Sequence, residues 1–449
     1  MNRKTCIIHI GMHKTGTSSI QKSLYASRAV MKKAISVNYY DLALNHTKLQ
    51  SIFSEEPELR LMNIIKGFWS REFCRSNDSS IKAHLIRALE CNDSDFFILS
   101  SEEFSEISED EAKQFQELLQ PYFDQIKIIC YVRAPSSYVH SRAQQFLKVG
   151  ATFNLIIQDT VANNNEIVDI FYDPILKEYR RNYSVRPSYQ SRIDKFATVF
   201  GAKNVIIRDF TMMVQQNQNI IAEFMNSFLP RELEDGIIEY YRENQAISLE
   251  EAYLLEAINQ KYPFIVNKGL NPYRARDITH YLSKNAIIKR KFAFEQLDLS
   301  LYAERIRDDV HWLEQFTGGE ISYDITAPQI KTEGAAPTYD AVIIDMINDT
   351  ALKAQNESAM RRFLGSMMAY DKRGVYRSKG IFNLINICSS PKLLRIMYNK
   401  LISRGKYEEA YIAAEKIIRM DPDNVDIRER LDQIKSNVNL RYNFSSWYA

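Results

Sequence analysis

An α/β domain with a central, mostly parallel sheet is the fold class this sequence predicts, on three observations. Four short runs, "TCIIHI" (5–10), "DFFILSS" (95–101), "IKIICYV" (126–132) and "NVIIRDF" (204–210), are apolar and β-branched, as strands buried on both faces should be. Between them lie patterns of helical period, "EDEAKQFQELLQPYF" (109–123) and "PSYQSRIDKFATVFG" (187–201), the second closing on Gly201 as helix C-termini often do. Strands that alternate with helices need crossovers, and crossovers make a parallel sheet. Finally, 449 residues, 45% of them hydrophobic, with 26 Tyr and 23 Phe, supply a large core and about two or three domains.

The elements beyond the fourth strand are helical. "SLEEAYLLEAINQKY" (248–262) and "LYAERIRDDVHWLEQF" (301–316) dominate the stretch from Gly236 to Gly319. The Ala-, Pro-, Thr- and Gly-rich segment "DITAPQIKTEGAAPTYD" (324–340) marks a domain boundary, giving a main domain over 1–326. "YDAVIIDMI" (339–347) fits a strand or a helix equally, so residues 327–390 are a linker with an unassigned helical segment. Residues 391–436 read as a helical hairpin, followed by a tail at 437–449. The segment "LLRIMYNKLISRGKYEEAYIAAEKIIRMDPDN" (393–424) resembles one tetratricopeptide-type repeat, with Gly405, Tyr407, Ala410 and Pro422 in that family's relative positions. Ala414 is smaller and Ile417 larger than the pattern expects. One such unit cannot bury its own face and needs a neighbour. It would recruit a protein partner, or else cap the main domain as an ordinary hairpin.

Charge and cysteine content narrow the class. With 58 basic and 56 acidic residues, the chain lacks the global basic footprint of a nucleic-acid binder. Cys6, Cys74, Cys91, Cys130 and Cys388 are scattered and form no CxxC pair, which argues against a disulfide framework or zinc site and for a reducing, cytoplasmic setting. The apolar run Cys6–Ile10 is too short for a signal peptide or membrane span. The short basic run "IIKRKF" (287–292) is a solvated face or a contact for an acidic glycan.

The chemistry concentrates after the first strand, in "CIIHIGMHKTGTSSIQKSL" (6–24). Unpaired N–H groups and the dipole at a helix start attract anions. Gly11 and Gly16 allow a close turn, Thr15, Thr17, Ser18 and Ser19 add hydroxyls, and Lys14 adds a point charge. A Walker A loop places lysine after its last glycine and directly before Ser/Thr. Here Lys14 precedes Gly16, and "FFILSSEE" (96–103) offers two serines where a Walker B acid would stand. Both departures argue against an NTPase and leave a P-loop-like three-layer domain with a different anion to hold. The plain alternative is a Gly/Thr-rich turn with an exposed lysine.

"HKTGTSSIQ" (13–21) resembles the 5′-phosphosulfate-binding loop of the sulfotransferase superfamily, whose donor is 3′-phosphoadenosine 5′-phosphosulfate (PAPS). "ICYVRAPSSYVHSRAQQFLKVG" (129–150) is similar to its 3′-phosphate site, an arginine at a strand end and a serine eight residues on, here Arg133 and Ser141. Arginine suits phosphate through its two-pronged hydrogen bonding. "YSVRPSYQSRIDKFATVFGAKNVIIRDF" (183–210) and "YAERIRDDVHWLEQFTGG" (302–319) resemble later segments of bacterial members, so the likeness spans about residues 1–326. The resemblance implies a PAPS site formed by His13, Lys14, Thr15, Gly16, Thr17, Ser18, Arg133 and Ser141, and sulfuryl transfer to a hydroxyl, with a carbohydrate or cell-envelope glycan as the expected acceptor.

In that chemistry Lys14 would neutralise charge on the bridging oxygen, and a general base would take the acceptor proton. His46, in "NYYDLALNHTKL" (38–49), is the first candidate, since it resembles a histidine of bacterial relatives and its ordinary pKa suits a base. Glu102 is the second, with Glu103 beside it at the C-terminal end of a strand. The chemistry requires no metal, and no metal-ligand spacing is present. Two other readings stay open: an atypical P-loop kinase, and a non-catalytic nucleotide-binding scaffold with a recruiting tail.

Overall fold

The computed structural model describes residues 4–438, apart from 61–62, 64–70, 163–183, 231–232, 235, 242–245, 267–268, 272, 276–277, 286–289, 294–298, 326–335, 370–384, 386–387, 389–390 and 404. Most of the expected domain boundary, part of the basic run 287–292 and most of the tail lie outside these residues. Five strands, β1 (Thr5–His9), β2 (Val37–Tyr39), β3 (Phe96–Ser100), β4 (Gln125–Val132) and β5 (Val205–Asp209), pair in the order β2-β3-β1-β4-β5, every pair parallel.

Successive residues of a strand point to opposite faces, and both faces are buried at the centre of the sheet, whereas β5, expected from its sequence to be buried, is half-buried along its length because it is an edge strand. Cys6, Ile8, Phe97, Leu99, Ile128, Cys130 and Val132 enter one core. Ile7, Val37, Tyr39, Ile98, Ile129 and Tyr131 enter the other. The second is covered by α1 (Thr17–Ile35) through Ile20, Leu24 and Met31, and later by Ile221, Phe224 and Met225. The first is covered by α2 (Arg71–Glu90), α3 (Glu109–Leu119), α4 (Pro135–Lys148) and α5 (Tyr189–Phe200), through Leu85, Phe115, Tyr138 and Phe196 among others. The result is the expected three-layer α/β domain. β2 was not visible as a run in the sequence, because its three residues "VNY" are too few to show a period.

Helix starts follow their capping chemistry. Ser108 and Glu111 form a capping box on α3. α5 begins after Ser188, which supplies no cap. Instead Asp309, from the helix α6 (Leu299–Phe316), accepts from the backbone N–H of Tyr189 and Gln190 at 2.7 and 2.8 Å. The segment that resembled a closing helix therefore pins the start of α5.

The ambiguous "YDAVIIDMI" is helical, within α7 (Ala341–Ala369). Ile344 and Ala351 join the first core, and Lys261 Nζ lies 2.6 Å from Asp345 Oδ2. Asn348 binds the Tyr273 carbonyl at 2.8 Å. The main core thus continues past the boundary expected at 326. Farther on, α8 (Pro391–Ile402), α9 (Tyr407–Met420) and α10 (Val425–Val438) share a separate core. Gly405 turns between the first two at φ 68°, a conformation that favours glycine. Ala410, Ala414 and Ile417 of α9 are buried there, and α10 adds Ile427, Leu431 and Ile434, so the hairpin finds its neighbour within the chain. Among the described residues, no helix is long and apolar enough to cross a membrane.

Candidate active site

In an open parallel sheet, ligands bind beyond the C-terminal ends of the strands, and the motif residues gather there. After β1 the chain turns through Gly11 (φ 37°), Lys14 (φ 66°) and Gly16 (φ 79°). A Cβ on Gly16 would stand 2.6 Å from Ile220 Cδ1, so only glycine fits. Thr15 and Thr17 are buried, and the Thr15 hydroxyl donates to the Met12 carbonyl at 2.6 Å, which braces the loop. No side chain caps α1, and no acid stands in its first turn. Ser19 N–H already donates to the Gly16 carbonyl at 3.0 Å, which leaves the N–H groups of Thr17 and Ser18 at the helix start to meet an anion.

The second motif meets the first directly. Arg133, at the end of β4, donates from Nη1 to the Lys14 carbonyl at 3.0 Å, and its guanidinium lies over the Phe210 ring, 5.7 Å from the centroid. Burial lowers the Arg133 pKa. Burial foremost, then the charges of Lys148, Arg142 and Arg133, with Glu102 opposing, brings Lys14 down to about 8. Ser141 lies on α4 one residue before the buried Arg142 and is part-exposed.

On the other side of the loop, β3 leads into a turn at Glu102–Glu106, where Ser101 Oγ accepts from the Glu103 N–H at 3.2 Å. His13 Nδ1 is 3.0 Å from Glu102 Oε2, and its Nε2 is 3.6 Å from Glu106 Oε1. Glu106 in turn lies 3.0 Å from Arg192 Nη2, and Arg192 Nη1 donates to the Tyr138 hydroxyl at 2.9 Å. His13 is thus clamped between two carboxylates behind the loop. Burial raises the Glu102 pKa, but the His13 hydrogen bond and the charges of His13, Lys14 and Arg142 outweigh it and hold the carboxyl below its ordinary range. The sequence reading missed Glu106, Arg192 and Tyr138. The four-residue spacing of Glu102 and Glu106 was the one available signal.

His46 does not stand in the site as expected of a base. It is fully buried; Nε2–H donates to the Tyr40 carbonyl at 2.8 Å, and Nδ1 accepts from the Ser100 N–H at 2.8 Å. Tyr39 and Tyr40 pack against the ring at 4.8 and 5.2 Å. With both nitrogens engaged by backbone, it ties the end of β2 to β3. Burial, opposed by the Tyr40 hydrogen bond, pushes its pKa down to about 4. The unfolded chain then binds more protons than the folded one between about pH 6.5 and 4, so stability falls as pH falls through that window. Urea midpoints of His46→Asn should be lower than wild type by the equivalent of about 2 kcal/mol at neutral pH. They should also decline less steeply between pH 6.5 and 4, with His9, also lowered to about 4 by burial, supplying a residual slope.

Fold and site together define an α/β protein with a glycine-containing loop between β1 and α1, flanked by an arginine and a carboxylate–histidine pair. No protein-family model and no curated protein matches the chain. Among solved structures it is similar to the crystal structure of a sulfotransferase from Alicyclobacillus acidocaldarius, at 15% identity and a TM-score of 0.35, covering 56% of this chain and 91% of that one. The residues, not this distant likeness, carry the functional reading.

Proposed function

We propose that the protein is a PAPS-dependent sulfotransferase acting on a hydroxyl acceptor. The observation that supports this reading is the hydrogen bond from Arg133 Nη1 to the Lys14 carbonyl, which brings the two sequence motifs together at one end of the sheet. A donor with two separate anionic groups suits that pairing. The loop amides, Lys14 and the hydroxyls of Thr15, Thr17 and Ser18 would hold the phosphosulfate, with His13 shaping the loop from behind. Arg133 and Ser141 would hold the 3′-phosphate.

Transfer breaks the bond between sulfur and the bridging phosphate oxygen and forms one from sulfur to the acceptor oxygen. Lys14 meets the charge left on the bridging oxygen. Glu102 takes the acceptor proton: its Oε2 is on His13, and its side chain is 27% exposed, so it can reach a bound hydroxyl. Glu103 stands next in line for that role.

Calorimetry with adenosine 3′,5′-diphosphate tests the donor site, and labelled PAPS with a cell extract tests transfer. Arg133→Ala should weaken diphosphate binding by about tenfold to a hundredfold, the worth of charge-assisted hydrogen bonds, without changing the circular-dichroism spectrum. Equal binding by wild type and variant, or phosphoryl transfer from ATP in place of sulfuryl transfer, overturns the assignment.

A further inference from the structure

A second cationic group, Arg142, acts by its charge on both Lys14 and Glu102. Arg142 is among the largest fully buried side chains, 1% exposed. Its Nη1 donates to Gln145 Oε1 at 2.8 Å, whereas Nε and Nη2 have no hydrogen-bond partner among the described residues. Its guanidinium lies over the Phe146 ring at 4.6 Å, which fixes the plane without satisfying the donors. Each buried donor left unmade costs about 1–3 kcal/mol, more on a charged group. Arg274 also keeps two such donors, but Arg142 is the one whose charge acts on Lys14 and Glu102, and there its donors can meet a partner supplied from outside.

The position of Arg142 indicates which partner. Tyr138 and Arg142 are one turn apart on α4 and share a face. That face meets Arg192 through the Tyr138 hydroxyl, and Arg192 reaches Glu106 beside the His13–Glu102 pair. Gln145 and Lys148 continue the stripe at three-residue steps. Lys148 is part-buried and has neither an ion pair nor a side-chain hydrogen bond among the described residues, and its charge acts on Lys14. Arg133, by contrast, approaches the loop at the Lys14 carbonyl.

We propose that Arg142 and Lys148 form an oxyanion subsite for the acceptor, so the compound sulfated carries a carboxylate or an ester oxyanion near its reacting hydroxyl. This deepens the sulfotransferase reading and rests on it. Guanidinium and ammonium together select against neutral acceptors, because a neutral compound leaves the buried Arg142 donors unsatisfied.

The test uses the full chain, labelled PAPS and an extract of the source cell separated by anion exchange. Label should enter the retained, acidic fraction. Carboxyl reduction of that fraction, or separate removal of its phosphate or sulfate esters, should abolish acceptance in one arm and so identify the oxyanion. Arg142→Gln and the less buried Lys148→Gln should each raise KM for the acidic acceptor about tenfold, with adenosine 3′,5′-diphosphate binding unchanged. Label entering the neutral fraction with Lys148→Gln unaffected overturns the subsite. Loss of diphosphate binding in folded Arg142→Gln or Lys148→Gln also overturns it, by assigning the cation to the donor. If wild type binds no diphosphate, the sulfotransferase reading itself fails, which is a distinct result.

Discussion

Lys14→Ala is expected to lower sulfuryl transfer by roughly 10²–10³-fold, the scale for removing a preorganised charge from a transition state, while leaving the fold intact. The fold should tolerate the change because both residues carry a Cβ, so the left-handed backbone at φ 66° is about equally strained in either. The hydrogen bond to Arg133 uses the Lys14 carbonyl and survives the substitution. A pH signature accompanies this loss. Lys14, at about 8 in the free protein, is half deprotonated near that pH and largely neutral above it, and a bound anion restores the charged form. Wild-type affinity for adenosine 3′,5′-diphosphate should therefore fall as pH rises above about 8. Near that pH, binding should take up protons, seen as a dependence of binding enthalpy on the buffer's ionisation enthalpy. Lys14→Arg stays charged throughout and should lose the pH dependence. Unchanged turnover in Lys14→Ala would remove the lysine from the mechanism.

The sheet and the strand–loop–helix turn at residues 10–16 were legible in sequence because each depends on local pattern. β1, β3, β4 and β5 each contain a short apolar, β-branched or aromatic run, and the loop with Gly11, Lys14, Thr15 and Gly16 directly follows the first of them. The join between the two motifs was legible only as a spacing; the Lys14–Arg133 hydrogen bond links residues 119 apart in the chain. What the sequence could not convey is burial. In sequence His46 stood ahead of Glu102 as the group to take a proton, and what it could not show is that backbone groups from β3 and Tyr40 occupy both nitrogens of His46. The orphaned donors of Arg142 belong to the same kind of information, since an arginine on a helix reads as a solvated charge until its surroundings are known. The extension of the main core into α7 was hidden for a related reason. "AVIID" has too few residues to separate a strand from a helix, and the Ala- and Pro-rich stretch before it resembles a linker.

Glu102→Gln is expected to reduce turnover by about 10²–10⁴-fold, the usual worth of a general base, with diphosphate binding close to wild type. Glutamine keeps the shape and can still meet His13, but it cannot take a proton. The pH profile separates this base from a histidine. The His13 bond and the neighbouring cations overcome burial and keep Glu102 ionised below the ordinary carboxylate value of 4.5. The acid limb of kcat/KM should therefore fall below about pH 4.5, and no inflection should stand near 6.5. That low limb overlaps the acid loss of stability set by His46 and His9, so rates must be read over times short against unfolding, with refolded activity as the control. His46→Asn should keep its turnover wherever it remains folded, because both ring nitrogens are taken by backbone groups and the ring packs on Tyr39 and Tyr40. Turnover lost in His13→Asn but kept in Glu102→Gln would reverse the roles within the pair. His13 would then take the proton, and Glu102 would orient the ring through the 3.0 Å contact at Nδ1.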